Sequence, residues 1–183
     1  MAAVTRSPEF RKELIASIPG LRAFAMSLAG KRDRADDLVQ ETLTKAWKHH
    51  ESFEPGSNLR AWLYTILRNE FYSQARKRSR EIEDADGVHS NRLATPPEQH
   101  GHLDMADLKS ALARLPNDQR EAIILIGASG FSYEEASEIC NVAVGTIKSR
   151  VNRARTRLAE LMYSEDDEQR RPSRQPYGYV AER

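Results

Sequence analysis

Residues Ser132 to Leu161 read SYEEASEICNVAVGTIKSRVNRARTRLAEL, and the spacing inside this stretch decides the fold. Ser132-Tyr133-Glu134-Glu135 has the form of a capping box, in which Ser132 accepts from the third helical amide and Glu135 reaches back. It opens a short helix through Cys140. Asn141 to Gly145 predicts a tight turn, with Asn141 able to adopt the left-handed conformation such a turn demands and Ser137 small where the two helices approach. Thr146 then starts a second helix. Ile147, Val151, Ala154, Leu158 and Leu161 recur at intervals of four and three, so they share one face and bury it. Thr146, Ser149, Arg150, Arg153 and Arg157 recur in the same way on another face, flanked by Lys148, Asn152 and Arg155. The pattern is a helix-turn-helix. Its second helix fits the major groove of DNA, where arginine pairs bidentately with guanine. The early residues of that helix would reach bases and the later arginines phosphates. An arginine-rich solvated surface helix is the plain alternative. The stripe lacks balancing acids and follows a capped helix and a turn, which favours DNA.

Outward from this stretch the chain is helical throughout, with no convincing alternating strand pattern and no fixed-period repeat. Phe10, Leu14, Ile15 and Ile18 follow helical spacing up to Pro19-Gly20, where the helix is expected to break. Leu21, Phe24, Ala25 and Leu28 form a second segment ended by Gly30. Asp33 is positioned to cap a helix to about His50, with Leu38, Val39, Leu43, Ala46 and Trp47 on its buried face. After the loop FEPGSN, Ser57 or Asn58 can cap a long helix from Leu59 to about Lys77, with the stripe Leu59, Trp62, Leu63, Ile66, Leu67 and Phe71. Residues 81–103 are acidic and polar with Pro96-Pro97, and read as a flexible tether. Leu108, Ala111, Leu112 and Leu115 mark a further helix stopped at Pro116. Asn117 or Asp118 can start the next, through Ile123 to Ile126. The fold class is therefore all-α: two small helical domains, residues 8–80 and 104–162, joined by a flexible acidic linker over 81–103. The second is a four-helix domain containing the helix-turn-helix. Residues 163–183 carry mixed charge and two prolines and read as a disordered tail.

The formal net charge of +1 hides a sorting of charge. Six acids and one arginine lie between Glu81 and Asp104, whereas five basic residues and one acid lie between Val144 and Leu161. A local basic face needs no overall basic protein. No apolar run approaches the roughly 20 residues of a bilayer span, and the N-terminus lacks the apolar stretch of a secretory signal. The lone cysteine, Cys140, allows no internal disulfide, fits a reducing cytoplasm and lies among apolar helix positions, where it reads as buried filler. The five histidines (49, 50, 89, 100 and 102) show no metal-ligand spacing around Cys140, and nothing pairs a nucleophile with a base. An enzyme, a catalytic site, a metal and a cofactor are not expected.

Taken with DDLVQETLTKAW (36–47) and FEPGSNLRAWLYTILRN (53–69), the helix-turn-helix makes the chain resemble the extracytoplasmic-function sigma factors, bacterial initiation factors that direct RNA polymerase to promoters. The resemblance covers roughly residues 8 to 162. LPNDQREAIILIGASGFSYEEA (115–136) and REIEDADG (80–87) look like the general-stress-response subgroup of alphaproteobacteria. It implies that Asp37, Gln40, Glu41 and Thr44, opposite the apolar face of their helix, dock on core RNA polymerase. It implies that the melted strand of the −10 element is read by the loop Phe53, Pro55, Gly56, Ser57 and Asn58 and by the helix face of Tyr64, Arg68, Asn69, Tyr72 and Arg76. Stacking on an aromatic contributes about 1–3 kcal/mol per base. Lys77, Arg78 and Arg80 extend that helix and suit phosphates. Trp62 shares the apolar stripe and is assigned to the core, while spacing leaves open whether Tyr64 and Tyr72 are core or stacking residues. The −35 duplex falls to Thr146, Lys148, Ser149, Arg150, Asn152 and Arg153, with Arg155 and Arg157 on phosphates. A small helical anti-sigma factor covering both domains is the implied regulator, and the linker acids either follow the template channel or serve as an inert spacer. The partners expected are core RNA polymerase, promoter DNA and that anti-sigma factor, in the cytoplasm, with no membrane and no small-molecule substrate. Two other readings compete. A polymerase-independent helix-turn-helix regulator would bind duplex DNA alone, and a sigma-like decoy would sequester an anti-sigma factor without using its basic face.

Overall fold

The first helix runs straight through Pro19. In the computed structural model, which describes residues 8–85 and 103–169, α1 spans Pro8–Ala29 without a break. The expected interruption fails because one apolar face continues across it: Phe10, Leu14, Leu21, Phe24, Ala25 and Leu28 are all buried. Proline inside a helix costs about 3 kcal/mol, and burying one large apolar side chain returns about 1.5–3 kcal/mol. The burial wins.

Helix α2 (Arg32–Lys48) lies against α1 and buries Ala35, Leu38, Val39 and Ala46. Asp33 does not cap it. The cap position is Lys31, which makes no side-chain cap bond, and Asp33 sits in the first turn, where its charge still favours the helix dipole. A short 3-10 turn (His50–Ser52) leads into the loop. Asn58 then caps α3 (Leu59–Ala85), accepting from the Ala61 amide at 3.1 Å. This helix extends eight residues beyond Lys77, into the stretch read as tether, because no proline or glycine interrupts before Gly87. Leu59, Leu63, Leu67 and Phe71 close the first core at four-residue intervals.

The second bundle comprises α4 (Leu103–Ala113), α5 (Asn117–Gly127), α6 (Tyr133–Cys140) and α7 (Val144–Gln169). Leu115, Ala122, Leu125, Ile139, Ile147 and Val151 make its centre. Helix α7 begins two residues before Thr146 and continues to Gln169, so the first residues assigned to the tail are helical. The next helix-breaking residue is Pro172. Residues 86–102 of the expected linker and 170–183 of the expected tail lie outside the described residues. The described residues contain no strand. The two bundles touch: α3 packs on α6 and α1 on α5, and one continuous set of buried apolar side chains runs through both.

Candidate nucleic-acid interface

The helix-turn-helix is built from two local devices. The Glu135 amide donates to Ser132 Oγ at 3.0 Å and the Ser132 amide to Glu135 Oε2 at 2.8 Å, completing the capping box. The Ser132 amide is also the main reason the Glu135 carboxyl titrates below its usual range. At the other end Asn141 adopts φ 52° and ψ 51°, and the Val142 amide returns to the Ser137 carbonyl at 3.0 Å. With the turn fixed, Ile147, Val151, Ala154 and Leu161 anchor α7 in the core. Lys148, Ser149, Asn152, Arg153, Arg155 and Arg157 are exposed along its outer side. Thr146 is half-buried. Arg153 folds back on its own helix, donating to Ser149 Oγ at 3.1 Å, and Arg157 pairs with Glu160. Arg150 differs from its neighbours. It is only 18% exposed and pairs with Asp118 of α5 at 3.2 Å.

On α2 the residues Asp37, Gln40, Glu41 and Thr44 are all exposed on one side, while Leu38, Val39 and Ala46 are buried on the other. Thr44 spends its hydroxyl on the Gln40 carbonyl at 2.8 Å, which leaves the Gln40 and Glu41 side chains as the reaching groups. Thr42, not singled out from sequence, is fully buried and donates to the Leu38 carbonyl at 2.7 Å.

The loop and α3 divide differently from expectation. Pro55, Gly56, Ser57 and Asn58 are exposed, and Gly56 has φ +86°, which only glycine adopts freely. Phe53 is not part of that surface: it is buried between Phe10 and Trp62, at ring distances of 6.1 and 5.4 Å. Tyr64 is buried as well. It stacks on Phe24 at 5.0 Å and meets Phe131 of the second bundle edge-on at 4.8 Å. Asn69 and Arg76 are exposed, whereas Arg68 and Tyr72 are half-buried under the second bundle.

What covers them is Glu121 of α5, an acid with no exposed surface. Arg68 Nε lies 2.7 Å from its carboxylate, the Tyr72 hydroxyl donates to it at 3.3 Å, and the Arg68 guanidinium sits over the Tyr72 ring at 4.8 Å. Burial raises the Glu121 carboxyl above the usual carboxylate range against the pull of Arg68. Burial, then the Glu121 charge, push the Tyr72 hydroxyl up to about 12. Burial likewise raises the Cys140 thiol to about 12, which makes it the inert filler expected. Arg60 reaches the Ser129 carbonyl and lies 4.5 Å over the Phe131 ring, Asn58 donates to Glu135 at 2.6 Å, and Arg120 donates to the Ser27 carbonyl at 3.2 Å. Sequence reasoning passed over Glu121, Arg120, Arg60 and Phe131. The one available signal was an Arg-Glu pair placed directly before the apolar run Ala122 to Ile126. Among the described residues no cluster of three metal-ligating side chains occurs, and no helix is long and apolar enough to cross a membrane.

A buried-core helix-turn-helix behind a polar α2 face and a basic-aromatic α3 defines a sigma-type initiation factor, and comparison with known proteins gives the same class. Residues 14–81 match Sigma-70 region 2, and residues 105–158 match Sigma-70 region 4. The chain is 61% identical over 153 residues to the ECF RNA polymerase sigma factor EcfG of Rhodopseudomonas palustris, covering 84% of each. The sigma factor RpoE of Bartonella quintana, solved in complex with the anti-sigma factor NepR, superposes with a TM-score of 0.76 at 62% identity, over 86% of this chain and 98% of that one. CnrH, solved with the cytosolic domain of CnrY, gives 0.63 at 25% identity over 85% and 88%. The chain belongs to the extracytoplasmic-function sigma factors, and within them it is similar to the general-stress-response type represented by EcfG. These are DNA-binding initiation factors, and the matches to both sigma regions favour this class over a polymerase-independent helix-turn-helix regulator.

Proposed function

We propose that the chain docks on core RNA polymerase through Asp37, Gln40, Glu41 and Thr44 and directs it to promoters with two DNA-reading surfaces. The exposed loop residues Pro55, Gly56, Ser57 and Asn58 and the α3 residues Asn69 and Arg76, with the half-buried Arg68 and Tyr72 beside them, hold the melted −10 strand. Helix α7 enters the −35 major groove with Lys148, Ser149, Asn152 and Arg153, and Arg155 and Arg157 hold phosphates. Residues 8–80 and 104–162 are the corresponding domains. Polymerase supplies the chemistry; this chain supplies position, in the cytoplasm. Because RpoE is solved with the anti-sigma factor NepR, and CnrH with the cytosolic domain of CnrY, a small anti-sigma protein that covers both domains is proposed to hold this chain in reserve, as in a stress response.

The observation that carries this reading is a division of surfaces within one chain: an exposed polar face on α2 and an exposed cationic ridge on α7, each backed by a fully packed core. Pull-down with core polymerase tests it. Gln40→Ala with Glu41→Ala abolishes capture, while Arg153→Ala with Arg155→Ala leaves capture intact and removes promoter-specific transcription. If both pairs lose polymerase together, the division of labour is wrong.

A further inference from the structure

Arg150, grouped by its spacing with the −35 readers, stands apart from the other cations of α7. It follows the buried Ile147 by three residues and precedes the buried Ala154 by four, so it rides the edge of the face that packs on α5. Lys148, Ser149, Asn152 and Arg153 are exposed on the outer side. The Arg150 side chain is only 18% exposed, and its Nε lies 3.2 Å from Asp118 Oδ2. Its Nη1 is buried with no hydrogen-bond partner among the described residues. One turn along α5, the Glu121 carboxyl, raised by burial and pulled back by Arg68, also feels the Arg150 charge. A guanidinium drawn to two carboxylates of α5 is turned into its own bundle. The apolar contacts of Ile147, Val151 and Ala154 hold α7 in the core but leave its roll free, because hydrophobic attraction has no direction. A charge-assisted contact does have a preferred geometry, and Asp118 with Arg150 supplies one between α5 and α7.

We propose that Arg150 is a positioning residue and not a base reader: paired with Asp118, it fixes the roll of α7 on α5 and so aims Lys148, Ser149, Asn152 and Arg153 at the −35 duplex. This rests on the assignment of α7 to that duplex and adds what sets its angle there. The two roles leave different marks on specificity. A hydrogen bond to a base edge weakens steeply with distance and misalignment, so a small roll of the helix costs every reader at once. Loss of a single reader costs only the base pair it contacts.

The test uses the full chain assembled with core polymerase, on a promoter that it transcribes and on every single-base substitution through the −35 element of that promoter. Transcript yield from the unmutated chain should fall by about 5–150-fold at each base pair that is read. Asp118→Asn and, separately, Arg150→Met should lower yield on the intact element by about 3–30-fold while barely changing the substituted ones. The contrast then shrinks at every read base pair alike, with capture of core polymerase and circular dichroism unchanged. Because the two residues act as one unit, the double variant should lose no more than either single variant. Asp118 is half-exposed, so Asp118→Asn carries the test if Arg150→Met fails to fold. Contrast lost at one base pair only in Arg150→Met would make Arg150 a reader and overturn the proposal. A uniform fall in yield with the contrast intact would reduce the pair to a role in folding, and losses that multiply in the double variant would break the pairing; either result overturns it too. No contrast in the unmutated chain overturns the assignment of α7 to the −35 duplex and this inference with it.

Discussion

The hydroxyl end of Tyr64 fills the space beside Gly20: a Cβ at position 20 would lie 2.8 Å from Tyr64 Oη. The tyrosine has no room to retreat, because Phe24 stacks on one side of its ring and Phe131 closes the other. Glycine in a helix interior is otherwise unfavourable by about 0.5–1 kcal/mol relative to alanine. Here close approach of α3 to α1 requires it.

Gly20→Ala is therefore expected to destabilise the chain by about 1–3 kcal/mol through overpacking. Deleting the offending atom reverses the sign: in a Tyr64→Phe background the same substitution should be neutral or stabilising. Urea unfolding of the four proteins gives the double-mutant cycle, and equal penalties in both backgrounds would show that the Tyr64 hydroxyl is not the obstacle.

The capping box makes a prediction with a sign in pH. Ser132→Ala should cost about 1 kcal/mol of stability. Glu135 titrates below its usual range because the Ser132 amide favours its charged form. A carboxyl held low in the folded state contributes stability above its unfolded value of about 4.3, and that contribution is lost as pH falls through the folded value. The stability difference between the unmutated chain and Glu135→Gln should thus be constant above about pH 5.5 and shrink toward pH 3. A difference that stays flat across this range would mean the cap does not depend on the charge.

At the turn, Asn141 holds φ 52° in an exposed position. Asn141→Gly should change stability by only a few tenths of a kcal/mol, whereas Asn141→Val should cost about 1–2 kcal/mol or more, because a β-branched residue resists the left-handed region. Thermal unfolding distinguishes the two, and equal losses would place the role of Asn141 in its amide rather than its backbone.

Cys140, with its thiol raised to about 12 by burial, should react with a disulfide reagent at pH 8 only as fast as the bundle opens. Addition of denaturant should accelerate the reaction to that of a free thiol. Immediate reaction in the native state would contradict the packing of α6 against α5 and α3.

These examples also show which parts of the fold could be read beforehand. The helix-turn-helix was legible because its determinants are local: a serine and a glutamate three residues apart, an asparagine at the turn, and apolar residues at four and three. The α2 face was legible for the same reason. Pro19 and Asp33 misled because local signals there are outweighed by a core face that continues past the proline and by a helix that starts two residues earlier than an Asp33 cap implies. The resemblance assigns Phe53 and Tyr64 to DNA, yet both pack inward: Tyr64 lies on a helical period that fits either destination until its neighbours are known, and Phe53 lies in a loop with no period to place it. Glu121 could not be placed at all. Its partners Arg68 and Tyr72 lie about fifty residues away, and only the meeting of two bundles reveals them.

The account stands most directly on transcription in vitro with purified core polymerase and a library of promoter fragments. Addition of this chain should yield transcripts from a subset of fragments that share spaced −35 and −10 sequences, and Gln40→Ala with Glu41→Ala should abolish them. Specific binding to the same fragments without polymerase, or transcripts independent of the Gln40-Glu41 face, would contradict it.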